Sequence, residues 1–307
     1  MMSKANDQPE ADKAPVTRDH RRQWRDCLYV YPVISRRSKG LSIGVNLNPD
    51  KRCNFGCIYC QINRRIRREL SHVELPVLRD ELSLAMREAS TGRLWSEPRF
   101  SVTPAELRRI NDIALSGDGE PTCLANFDHA VQVAADVKEA HGADDVKIVV
   151  ITNATRLRDP QVRRALPVLD ANNGEIWAKL DAGTEEFFQR VNRPAGGVTL
   201  AEVVENIKSV AVDRPVVIQS LFFRFDGEPP AESQLHAYCD RLSEIVSAGG
   251  RIKLIQVHTV ARPPAEASVA ALSDAELDAV AARVRTALPD VPVEKYYGAD
   301  VPPQKAE

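Results

Sequence analysis

Short apolar runs alternate along the chain with longer segments whose apolar residues recur every three or four positions. The runs Leu41–Leu47, Asp112–Ser116, Lys147–Ile151, Glu175–Leu180, Val216–Phe223 and Ile252–Val257 are short and mostly rich in Val and Ile, which predicts buried strands. The helical spacing falls on Arg79–Ala89, Pro104–Ile110, Phe127–Ala140, Leu200–Val210, Ser233–Ser247 and Ser273–Ala287. Thr103 to Glu106 and Ser273 to Glu276 both fit a capping box, a helix-start signal. Strands alternating with helices imply an α/β fold with a parallel sheet and right-handed crossovers. An open doubly wound sheet and a barrel both satisfy the alternation. A closed barrel takes eight units, so six predict a partial (β/α)6 barrel, open on one side. With no repeat and no linker, residues 21–297 read as one domain between loose tails at 1–20 and 298–307.

Composition adds little to that picture. The 307 residues are 43% hydrophobic and 27% charged, as in a soluble globular protein. No apolar run reaches the roughly 20 residues of a membrane helix. The polar start lacks a secretory signal, which predicts a cytoplasmic protein. Charge is more informative. The net value is −2, yet thirteen Lys and Arg stand against three Asp between Arg18 and Arg68. A solvated surface explains such a run, and so does attraction to an anion: tRNA, a phosphorylated substrate or a reduced cluster. Arg64, Arg65, Arg67 and Arg68 are the candidates to meet phosphates.

Cysteine usage changes the picture most. Of six cysteines, Cys53, Cys57 and Cys60 lie within eight positions, while Cys27, Cys123 and Cys239 are scattered. That is too sparse for a disulfide framework and points to a metal or redox chemistry. The trio sits just after the first predicted strand, on the face where parallel α/β folds bind ligands. Zinc usually takes four ligands in a closed structural site, and no fourth Cys or His is near. Three thiolates leave one iron of a [4Fe–4S] cluster open to substrate. A zinc site completed by a distant ligand, or a non-catalytic electron-transfer centre, remains the competing reading.

The C-x3-C-x2-C spacing, with the aromatic Tyr59 before the third Cys, resembles the signature of the radical S-adenosylmethionine superfamily. The second predicted strand runs into Ser116-Gly117-Asp118-Gly119-Glu120, which resembles that family's Gly-Gly-Glu element, with Asp118 between the glycines. The resemblance implies a [4Fe–4S] cluster that cleaves S-adenosyl-L-methionine to a 5′-deoxyadenosyl radical. It places Tyr59 against the adenine and Gly117, Asp118, Gly119 and Glu120 around the methionyl amino group. It also implies a one-electron donor such as flavodoxin or ferredoxin.

Further strand ends offer polar side chains. Asn153 suits a ribose or carboxylate, or simply a turn. Lys179 and Asp181 form a core ion pair or contact cofactor and substrate, and His258, Gln219 and Gln256 are similar candidates. Lys179, Asp181 and His258 are thus the catalytic candidates. Arg193 and Arg262 either clamp an anion or lie on the surface. The segments Val33–Arg37, Ser42–Asn46, GDGEPT, KLDAGT, NRP and Val257–Pro264 resemble the branch related to the wyosine-forming tRNA enzyme. That relative holds a second cluster through three upstream cysteines, whereas only Cys27 lies upstream here. The resemblance therefore extends to tRNA modification only as an alternative.

Overall fold

The computed structural model describes residues 22–62, 73–264 and 266–298. The expected tails at 1–20 and 298–307, Gly298 apart, and Arg64, Arg65, Arg67 and Arg68 lie outside the described residues. The chain opens with two antiparallel strands, β1 Val30–Ser35 and β2 Gly40–Val45. Two helices follow, α1 Leu75–Ser90 and the single turn α2 Pro98–Ser101. Then come β3 Ile110–Leu115, α3 Phe127–Ala140, β4 Lys147–Thr152, α4 Pro160–Ala171 and β5 Glu175–Lys179. Helices α5 Glu185–Asn192 and α6 Leu200–Ala211 precede β6 Val216–Leu221 and the short β7 Phe223–Phe225. The chain finishes with α7 Glu232–Ser247, β8 Ile252–His258, β9 Val269–Ala271, α8 Asp274–Ala287 and β10 Val293–Tyr296.

Eight strands form one sheet in the order β1-β2-β3-β4-β5-β6-β8-β10, parallel throughout except for the antiparallel edge strand β1. The sheet curls into the expected partial barrel. Its six inner strands are the six apolar runs; β1 and β10 extend it at the two edges. Those edges reach each other through Arg36, which donates to the Tyr297 carbonyl at 2.8 Å, and Lys39, 2.9 Å from Glu294. The helices cover the outer face, where Ile43, Ile113, Leu115, Ile148, Val150, Ile218 and Ile255 are fully or nearly fully buried. Thr199 and Ser273 cap α6 and α8 with complete capping boxes. The predicted helix Pro104–Ile110 is instead a single 3-10 turn over Ala105–Leu107 without a side-chain cap, because Ile110 already belongs to β3. No helix among the described residues is long and apolar enough to cross a membrane.

Side chains on a strand alternate between faces, so every second residue enters the barrel and stacks there in layers. At the amino ends of the strands the layer is charged: Glu175 sits 2.7 Å from both Lys147 and Lys253. Above it Ala114, Val149, Trp177 and Val217 form an apolar plug. The next residues along the same faces, at the carboxyl ends, are Ser116, Ile151, Lys179 and Gln219, three of them polar, and they line a cleft.

Asp112 joins the charged layer and is buried, accepting a hydrogen bond from the Ser42 hydroxyl. Burial pushes its carboxyl up to about 6. Below about pH 4 the folded and unfolded chains are both protonated and nothing is lost. Between about pH 4 and 6 only the unfolded chain releases the proton, so stability falls as pH rises. Asp112→Asn removes that titration. Equilibrium urea unfolding should find the variant gaining on the parent by about 3 kcal/mol between pH 4 and pH 7, at 1.36 kcal/mol per pKa unit. A difference that does not change with pH contradicts this assignment.

Candidate functional site

The cleft at the carboxyl ends of the strands measures about 480 Å³, within the roughly 300–1,000 Å³ usual for small-molecule sites. The loop after β2 brings Cys53, Cys57, Tyr59 and Cys60 to its wall. This loop lies along the end of α5 and the residues after it. Gly56 N donates to the Asn192 carbonyl at 3.1 Å, Ile58 N to Val191 at 3.0 Å, and Ala195 N to Asn54 at 2.8 Å. The three thiols share the wall but are not drawn to one point: among the described residues no three His, Cys, Asp or Glu side chains form a ready-made metal site. Burial pushes the Cys57 thiol up to about 11, so a bound metal's charge would have to stabilise its thiolate. Cys27 lies upstream of β1, Cys123 follows the turn after β3, and Cys239 is buried on α7.

Two hydrogen bonds tie Tyr59 to the end of β5 and the end of α5. Its hydroxyl donates to Asp181 Oδ2 at 2.5 Å and accepts from Asn192 Nδ2 at 2.8 Å. Leu221 N donates to the other Asp181 oxygen at 2.8 Å, and Lys179 Nζ lies 3.4 Å from it. Lys179 also stands 5.5 Å from the centre of the Tyr59 ring. Lys179 and Asp181 are therefore both an ion pair and part of the cleft wall. Asn192 Oδ1 is buried here without a protein partner. Sequence reading missed Asn192 beyond quoting its NRP segment; no local pattern marks it.

The turn after β3 supplies the adjoining wall. Ser116, Gly117, Gly119 and Glu120 line the cleft. Glu120 is 3% exposed and accepts hydrogen bonds from Thr122 N, Thr122 Oγ1, Thr152 Oγ1 and Asn153 N. No cationic side chain pairs with it among the described residues, and burial raises its pKa. A carboxylate so oriented favours a cation arriving from the cleft. Asp118 differs: it pairs with Arg22 at 2.6 Å and accepts from Asn46 Nδ2 at 3.0 Å, which anchors the turn. Asn153 lines the cleft, yet its side chain already donates to Asn54 Oδ1 at 2.7 Å and accepts from Thr155 N and Oγ1. It links the cysteine loop to the end of β4.

His258 closes the far side. Burial, then the nearby Lys179 and Arg37, holds its imidazole neutral, and its buried Nδ1 has no protein partner. Below it Gln219 Nε2 donates to Gln256 Oε1 at 3.0 Å. Arg262 lines the cleft, whereas Arg193 turns away and pairs with Glu266.

A curled parallel sheet with a cysteine loop after its first parallel strand and a buried Glu beside it defines a class: a partial barrel that binds its ligands at the strands' carboxyl ends. Residues 47–224 match the Radical SAM superfamily, and the chain belongs to it. The cofactors of that family are a [4Fe–4S] cluster and S-adenosylmethionine. A UPF0026 protein of Methanocaldococcus jannaschii is 28% identical over 176 residues, 57% of this chain and 47% of the relative, so the chain matches about half of that relative's length. Among solved structures, a radical SAM methyltransferase from Sphaerobacter thermophilus superposes with a TM-score of 0.61 over 87% of this chain and 69% of that one, at 13% identity. TYW1 with a lysine–pyruvate adduct bound gives 0.50 over 81% and 74%, at 14% identity. At these identities the likeness is one of fold.

Proposed function

We propose that this chain is a radical S-adenosylmethionine enzyme in which Cys53, Cys57 and Cys60 hold the [4Fe–4S] cluster. Gly117, Gly119 and Glu120, with Tyr59 and Asn153 beside them, receive S-adenosylmethionine. The meeting of the cysteine loop and the buried Glu120 in one cleft carries this reading. The residues fit the group: three soft thiols suit iron, and their number leaves one iron open. When bound, the cofactors would supply one-electron cleavage of the sulfonium carbon–sulfur bond and with it the means to remove hydrogen from a substrate.

The chain's own groups bind, orient and protect. Glu120 meets the methionyl ammonium while Thr122, Thr152 and Asn153 N keep its oxygens in place. Asp181 fixes the Tyr59 hydroxyl and so the face of the ring offered to the adenine. Asp118 acts indirectly, holding the turn through Arg22. Lys179 Nζ and the unpartnered His258 Nδ1 are the polar atoms offered to the remaining space. A one-electron donor of the flavodoxin or ferredoxin type completes the system, and the free cysteines suit the cytoplasm. Residues 21–297 form the catalytic domain.

Anaerobic reconstitution with iron and sulfide, then dithionite and S-adenosylmethionine, is expected to yield 5′-deoxyadenosine. No product from a sample with its cluster fully assembled overturns the proposal. One zinc and no iron per chain after expression favours a structural metal site instead. The basic stretch Arg18–Arg68 supports a second reading, tRNA modification. Filter binding to tRNA no tighter than that of an acidic control protein removes it.

A further inference from the structure

Four arginines from three separate segments converge on one side of the cleft: Arg22 before β1, Arg36 and Arg37 in the β1–β2 turn, and Arg262 after β8. Convergence of like charges inside a fold is costly unless something of opposite charge is meant to enter. Arg22 is matched by Asp118 at 2.6 Å. Arg36 reaches the Tyr297 carbonyl. Arg37 and Arg262, by contrast, have no carboxylate partner among the described residues. Asp112, the acid whose charge reaches Arg37, accepts a hydrogen bond from Ser42. Burial, together with Arg22 and Arg37, brings the Arg262 guanidinium down to about 10; burial and Arg36 lower Arg37 as well.

Two further polar groups share the cleft. His258 is next to these guanidinium groups with its buried Nδ1 unpartnered. Glu120, the carboxylate without a cation, lies in the same cleft. We infer that the substrate carries a dianionic oxyanion group, of the phosphate-monoester or dicarboxylate kind, and that Arg37 and Arg262 clamp it in the cleft that Glu120 also lines. The planar guanidinium fork matches such oxygens two at a time, which a lysine does not. Both side chains are only partly buried, so their guanidinium groups can be reached from the cleft. This assignment rests on the radical-enzyme reading for the word substrate, but the anion site does not.

The test uses the anaerobically reconstituted protein loaded with S-adenosylmethionine and titrated with inorganic phosphate by calorimetry. Saturable binding of one phosphate is expected, with acetate weaker. Arg37→Gln and Arg262→Gln should each weaken phosphate by about tenfold or more, and Arg37→Lys should fall between. If a variant does not fold, the parent protein still decides: phosphate should raise its melting temperature as ligand linkage requires. Absent phosphate binding to the loaded protein, or equal binding by the Gln variants, overturns the clamp. Displacement of phosphate by tRNA alone, and not by a sugar phosphate or malonate, overturns the small-molecule source. Formation of 5′-deoxyadenosine by the parent is scored separately, so failure of the radical reading and failure of the clamp are told apart.

Discussion

Alanine at any one of Cys53, Cys57 or Cys60 is expected to reduce bound iron to background and 5′-deoxyadenosine formation by about a thousandfold or more, a loss of roughly 4 kcal/mol of transition-state stabilisation. With three protein thiolates available, removing one leaves two, and a [4Fe–4S] cluster needs three of its irons held. The fold itself should survive. All three side chains are only partly buried and line a cleft rather than a packed interior. Losing one sulfur there costs little packing, about 1 kcal/mol. The loop stays attached through the Gly56, Ile58 and Asn54 backbone bonds to α5 and the residues after it, none of which involves a thiol. Cys27→Ala and Cys239→Ala provide the comparison: one lies upstream of β1, the other is buried on α7. Both should keep iron and activity. Iron and sulfide analysis with product chromatography reads the result. A Cys57 variant that retains cluster and turnover rejects the ligand assignment.

How much of this could be read from the residues depends on how local each signal is. The six inner strands were legible because a strand buried on both faces is built around a continuous apolar run, such as Ile148–Ile151. The edge strands were not. Val30–Ser35 contains Pro32, which argues against a strand, and Val293–Tyr296 is only four residues long with Glu294 and Lys295 at its centre. Helix α4 hides behind Pro167, and α5 is eight residues long. Pro104–Ile110 shows the opposite error: helical spacing over a few residues lost to the pull of Ile110 into the sheet. The cysteine loop and the Glu120 turn were legible because each is one contiguous segment. The arginine side of the cleft was not, since it is assembled from residues up to 240 positions apart, Arg22 and Arg262. Arg193 looked equivalent to Arg262 until Glu266 took it.

Gly119→Ala should be the most damaging small substitution in the chain. A β-carbon there would stand 1.8 Å from the Arg52 carbonyl oxygen and 2.7 Å from Asn48 Cβ. Nothing flexible can move aside, because the obstructing oxygen is backbone and already accepts from Glu120 N at 3.3 Å. Relief requires the turn and the cysteine loop to separate. Their displacement moves Glu120 on one side and Cys53 on the other, the immediate neighbours of Gly119 and Arg52. Overpacking of this kind costs about 1–3 kcal/mol, and a backbone obstacle puts it at the upper end. Molecules that still fold should lose about a hundredfold in S-adenosylmethionine cleavage, since a displacement near 1 Å at a reacting site costs that much. Gly142→Ala separates strain from function: its φ of +58° disfavours a side chain, but open space surrounds it. That variant should lose about 1 kcal/mol in urea unfolding and keep full activity. If Gly119→Ala instead behaves like Gly142→Ala, close contact between turn and loop is not what holds the site together.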